Sequence, residues 1–268
     1  MLTMFDNLQN MLETINTLME DLLLHQTSIY LWNLPSEHVV VISPNNYAFR
    51  DLSEEGHRVQ AQLLKEYRQF HAIHVCLLRQ QSKDTIRKLE QSDRQISTLI
   101  ELQSTYFKNA QDALTEGHKL LIEQFNLLRR LHDYSGNQPI FIPDTNALLY
   151  NHVLDEWRFP DVTKFSIALI PTVLSELDEL KVNHRNEVVR GKADTLIHQI
   201  KEYRRRGKLY DGVPLNNGIS SIVSIAAEPI MNESLPWFDP NNKDDRILAS
   251  LLELIQIYPN SPIISCKS

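Results

Sequence analysis

Phe141-Ile142-Pro143-Asp144-Thr145-Asn146-Ala147-Leu148-Leu149-Tyr150 is the stretch on which the reading of this chain turns. Pro139 to Ile142 is a short apolar, β-branched and aromatic run of the kind found in buried strands. Ala147, Leu148 and Tyr150 then continue with helical spacing. Asp144 therefore falls at a strand-to-helix turn, which in an open α/β sheet is the carboxyl end of a strand, where ligands collect. Thr145 and Asn146 add a hydroxyl and an amide able to fix the carboxylate's rotamer or to hold a water. The same tripeptide also reads as an ordinary helix cap.

Downstream the pattern repeats. Ser166 to Ile170 reads as a strand before a helix opening at Pro171-Thr172, and a basic helix follows around Glu187 to Arg206. Ile222 to Ala226, a helix from about Asp244 to Ile257, and Pro262 to Cys266 complete an alternation expected of parallel βα units. Acids follow these strands: Asp144 after the first, Glu176 one turn into the next helix, Asp244 and Asp245 at the start of the helix after the Ile222 strand. Parallel strands bring such residues to one sheet edge. Carboxylates gathered there without basic partners repel one another, and a divalent cation relieves the repulsion. Oxygen-only donors favour Mg²⁺ or Mn²⁺, which also bind phosphate oxygens. Taken singly, each acid is one that the helix dipole favours in a first turn.

Charge is unevenly spread. Between Lys181 and Lys208 there are nine lysines and arginines against three acids, in a chain whose net charge is −7. Arg185, Arg190, Lys192, Arg204, Arg205 and Arg206 are the candidates for a polyanion contact, with a solvated helix face as the alternative.

Ahead of this region the periodicity is helical. Leu8, Met11, Leu12, Ile15, Leu18, Met19, Leu22 and Leu23 form one apolar stripe. A short strand is expected at His38 to Ser43. Asp51 with Glu54 reads as a capping box, and no proline interrupts the chain from there to His132. Ile86, Ile100, Phe107, Leu114, Leu121 and Leu128 share a heptad position, and Leu89, Ile96, Ala110 and Leu131 a second. Asp93, Gln103, Gly117 and Gln124 interrupt the seam. The earlier stripe of Leu63, Phe70 and Leu77 is out of register with it, so a break is expected near Gln80 to Asp84. Leu99, Tyr106, Ala113, Leu120 and Leu127 widen the stripe, which favours bundle packing, within one chain or in a homo-oligomer. His71 and His74 read as ordinary helix residues. The turn-rich His132 to Pro139 marks a domain boundary, giving a helical domain over 1–136 and an α/β domain over 137–268.

Composition excludes several classes. Two cysteines far apart, Cys76 and Cys266, form no metal-binding or disulfide framework. Seven glycines and no phosphate-cradling glycine motif argue against nucleotide chemistry. No apolar run reaches membrane-spanning length, and the first residues lack a basic-then-apolar leader, so a cytoplasmic chain is expected.

Asp144-Thr145-Asn146, Ile170-Pro171-Thr172-Val173-Leu174-Ser175-Glu176-Leu177-Asp178-Glu179-Leu180-Lys181, Val189-Arg190-Gly191-Lys192-Ala193 and Asp244-Asp245-Arg246-Ile247-Leu248-Ala249 together resemble the PIN-domain nucleases, closest to the PIN module of PhoH-like proteins. The resemblance spans about Pro139 to Ser268. It implies a three-layer α/β/α parallel-sheet domain and a Mg²⁺- or Mn²⁺-dependent hydrolase, an endoribonuclease acting on single-stranded RNA. Asp144, Glu176 and Asp245 match the family's metal-binding acids, with Asp244 adjacent. Thr145 and Asn146 would support them, while Asp178 and Glu179 fall beyond the match, as surface charge. The family's fourth acid, with a further helix and strand, is expected beyond Cys266, so the C-terminal part of the domain reads as missing. A DNA nuclease, or a silent scaffold binding RNA or a partner protein, is the alternative.

Overall fold

The computed structural model describes residues 4–31, 47–103, 105–131, 138–225 and 228–266. They form two compact units, residues 1–131 and 132–268. The strand expected at His38 to Ser43, and His132 to Asn137 of the expected boundary turn, lie outside the described residues.

In the first unit α1 (Met4–Glu20), extended by a π-type turn, α2 (Glu54–Leu78), α3 (Lys83–Ile100) and α4 (Ala110–Leu131) make a bundle in which α1 and α3 each pack on α2 and α4. Of the heptad positions, Leu89, Ile96, Ile100, Leu114, Leu121 and Leu128 are buried inside this bundle, and Ile86, Phe107 and Ala110 are half-buried. Three of its four interruptions have a physical explanation. Asp93 and Gln124 converge on the buried Tyr67 hydroxyl, which donates to Asp93 Oδ1 at 2.9 Å and accepts from Gln124 Nε2 at 3.2 Å. Gly117 lets α4 approach α1 closely, since a Cβ there would lie 2.5 Å from Met19 Sδ.

Two details differ from expectation. Ser53, not Asp51, caps α2 by accepting the Gly56 N–H, so the capping box is not formed. The helical unit also carries an antiparallel ribbon, β1 (Ile29–Leu31) with β2 (Tyr47–Phe49), built from β-favouring residues. Its edge is closed by Thr105, whose backbone exchanges two hydrogen bonds with Tyr47. That pairing falls in the turn between α3 and α4, which also divides the heptad run.

The second unit is a five-stranded sheet of order β5-β6-β4-β3-β7: β3 (Ile140–Pro143), β4 (Phe165–Leu169), β5 (Val213–Pro214), β6 (Ser220–Ser224) and β7 (Ile263–Cys266). Four strands are parallel, and the short β5 runs antiparallel to β6, making the sheet mixed. Helices α5 (Thr145–Tyr150), α6 (Pro171–Asn183), α7 (Glu187–Arg206) and α8 (Lys243–Ile257) flank it in an α/β/α arrangement. β3 is buried along its whole length between β4 and β7, which places the residue after it at the middle of the sheet edge. Phe141 stacks on Phe159, and Phe165 meets both rings edge-on.

An internal lock that the sequence did not announce fixes α7 on this sheet. Asp155 Oδ1 accepts from the Tyr203 hydroxyl at 2.6 Å and from the Asn216 N–H at 2.9 Å, while Oδ2 accepts the Asn216 side-chain amide. Partial burial works to raise this carboxyl, but the Tyr203 and Asn216 hydrogen bonds outweigh it and hold its pKa below the ordinary aspartate value. Burial, reinforced by Asp155, pushes the Tyr203 phenol up to about 12.

Candidate active site

Asp144 leaves β3 at the sheet edge, its N–H donating to the Cys266 carbonyl at 2.9 Å and so extending the β3–β7 ladder by one residue. Its side chain caps α5, Oδ1 accepting the Ala147 N–H at 2.7 Å. The cap reading and the site reading are both realised: Asp144 also lines an open cleft of about 470 Å³. Thr145, Asn146, Glu176, Glu179, Leu180, Asn183, His184, Lys243, Asp244 and Ile247 form the rest of its wall. Acids from three separate strand-to-helix connections, Asp144, Glu176 and Asp244, thus share one concavity at the carboxyl edge of the sheet, as parallel topology requires.

Glu176 is the best-fixed of them. The buried Thr145 hydroxyl donates to its Oε2, and the Lys243 ammonium stands 3.4 Å from its Oε1. Asn146 is exposed on the rim. Asp245 does not line the cleft. Its Oδ2 accepts the Asp239 N–H at 2.9 Å and pins the loop ahead of α8, so Asp244 is the acid α8 presents to the cavity.

Glu179, set aside in the sequence, and His184, which the sequence did not single out, belong here. Glu179, expected as surface charge, lines the cleft and pairs with Lys243 at 3.3 Å. Its spacing of three from Glu176 puts both on one helix face, a signal the sequence did contain. Asp178 is exposed outside the lining residues. His184 lines the cleft, and its Nδ1 faces the Asn186 N–H at 3.1 Å. Beside the cleft, burial and the neighbouring Asp144 push the Cys266 thiol up to about 11, so it stays protonated and is no nucleophile at neutral pH.

The six candidate basic residues do not form one patch. Arg190 donates to the His184 carbonyl at 2.7 Å and Lys192 to the Leu149 carbonyl at 3.1 Å, so both tie the cleft end of α7 to its neighbours. Arg185 is exposed next to His184. At the other end of α7, Arg205 pairs with Glu202 and Arg206 lies over the Tyr203 ring, with Arg204 exposed beside them.

Apart from the His184 imidazole, the donors lining the cleft are carboxylate, hydroxyl and amide oxygens, a set that fits a hard divalent cation. As placed, no three His, Cys, Asp or Glu side chains among the described residues come together closely enough to hold one. The Lys243 ammonium meets part of the carboxylate charge.

Residues 141–266 match the family model of the PIN domain. PIN domains are in general nucleases that act on nucleic acids, typically with divalent metal ions. No curated protein and no solved structure matches the chain. Among the described residues no helix is long and apolar enough to cross a membrane.

Proposed function

We propose that the C-terminal unit is an endoribonuclease hydrolysing phosphodiester bonds of single-stranded RNA with Mg²⁺ or Mn²⁺. The observation that carries this reading is the placing of Asp144, Glu176 and Asp244, from three separate connections, along one cleft. These three would hold the cation, and Thr145 would keep Glu176 in the ligating rotamer. A bound divalent ion supplies a water of lowered pKa and charge stabilisation for in-line attack. Asp245 acts at one remove, bracing the loop before α8. Arg185, exposed where Arg190 and Lys192 are engaged by backbone carbonyls, holds a backbone phosphate, which positions the strand without reading its bases.

Cleavage of a fluorescent single-stranded RNA in Mn²⁺, giving internal cuts and lost on Asp144→Asn, is the expected result. Cleavage of DNA alone would change the substrate class and keep the chemistry. The alternative, a silent scaffold, is favoured by one observation, the pairing of Glu176 with Lys243 in place of a closed ligand set. RNA binding without cleavage, indifferent to Asp144→Asn, would establish it.

A further inference from the structure

Lys243 occupies an unfavourable place for a cation. It is the first residue of α8, where the partial positive charge of the helix N-terminus repels an ammonium. What holds it there is a pair of carboxylates on α6, Glu176 at 3.4 Å and Glu179 at 3.3 Å. Four acids line the cleft, Asp144, Glu176, Glu179 and Asp244, and Lys243 is the single lysine or arginine among the lining residues. Glu176 is divided between two partners, with Oε2 accepting from Thr145 and Oε1 facing Lys243. Its second oxygen therefore meets a divalent ion only after the ammonium has withdrawn. The side chain has room to do so, being 56% exposed on a flexible four-carbon stem.

We propose that Lys243 is a tethered counter-cation that keeps Glu176 and Glu179 together in the metal-free cleft and competes with the divalent ion for Glu176. This inference rests on the reading of the cleft as a metal site. Loading then becomes an exchange of one positive charge for two, and Lys243 sets how much metal is needed. Like charges a few ångströms apart do not share one carboxylate comfortably, and the cost is greatest at low salt.

Calorimetric Mn²⁺ titration of the full chain, as wild type, Lys243→Met, Lys243→Arg and Asp144→Asn, is the test, with circular dichroism confirming that each variant folds. Lys243→Met is expected to bind Mn²⁺ roughly fivefold tighter in low salt, the gap closing as ionic strength rises, while Lys243→Arg stays near wild type. Without metal, Lys243→Met should melt at a lower temperature than wild type, because four carboxylates then face one another, and Mn²⁺ should restore it. Equal or weaker Mn²⁺ affinity in a folded Lys243→Met, with binding still lost on Asp144→Asn, overturns the counter-cation and leaves the metal site standing. An absence of Mn²⁺ binding in both wild type and Lys243→Met overturns both.

Discussion

At the residue scale the site depends on which oxygen each carboxylate has free. Thr145 is buried, and its hydroxyl is spent on Glu176. Replacing it by valine keeps the shape, removes the donor and frees Glu176 to follow Lys243. Thr145→Val is expected to weaken Mn²⁺ binding about tenfold, the usual cost of losing a group that orients a metal ligand, while Thr145→Ser retains it. Calorimetry on the two variants checks this. Asp155 is the contrasting carboxylate, fully engaged in the fold. Asp155→Asn should cost about 1–3 kcal/mol in urea unfolding and leave Mn²⁺ affinity unchanged, since it disturbs hydrogen bonds away from the cleft. The sequence exposed Asp144, Glu176 and Asp244 because each follows a recognisable strand. The resemblance put Asp245 ahead of its neighbour Asp244, but adjacent residues on a helix differ in direction, and the loop at Asp239 decides which is spent on backbone. Asp155 was invisible for a related reason. Its partners Tyr203 and Asn216 lie 48 and 61 residues on in the chain, and no local pattern joins them.

At the scale of elements, the helices around the sheet and its central strands were legible because periodicity and turn chemistry agree there, whereas the turn between α3 and α4 was not, because the heptad positions continue across it. β5, two residues long and paired through Asn217 and Gly218, lay below what a pattern can register. The basic helix was found with its bounds, but composition alone made one patch of its charges. Helical rise separates them: Glu187 and Arg204 stand about 25 Å apart along α7. Only the first end adjoins the cleft, through Asn183 and His184 of the preceding connection. On the proposed function, an RNA strand entering the cleft meets Arg185 before it meets Arg204. Arg185→Ala is expected to lower RNA affinity and to reduce the slope of log affinity against log salt by about 0.7, the contribution of one single-strand phosphate contact. Arg204→Ala should leave the slope unchanged. The reverse ranking, from binding curves across a salt series, would mean that RNA runs along the distal end of α7.

At the scale of the whole molecule the two units carry different titrating groups in their interiors, and this gives them different acid limits. In the helical unit His74 is fully buried, its ring against Phe70 and its Nδ1 2.8 Å from the Phe70 carbonyl. Burial is the main cause that lowers its pKa to about 4, with His71 adding to it. Burial lowers His71 as well, against the pull of Asp93, while Tyr67 and Gln124 complete the surroundings. A histidine held neutral in the fold and free to take a proton near pH 6.5 when unfolded gives its full contribution above that pH. The contribution drains away as pH falls toward 4, by ~3 kcal/mol over the window. In the C-terminal unit the depressed Asp155 acts lower: its contribution is full above about pH 4 and is lost only as pH falls through its folded value. Calorimetric scans of the intact chain from pH 7.5 to 4.5 should therefore show one transition moving down while the other stays nearly in place, which also tests whether the two units melt separately. His74→Leu should flatten the moving transition between pH 6.5 and 4.5. If instead a single transition shifts as a whole, or the variant keeps the wild-type pH slope, the acid sensitivity does not come from the buried histidine of the bundle.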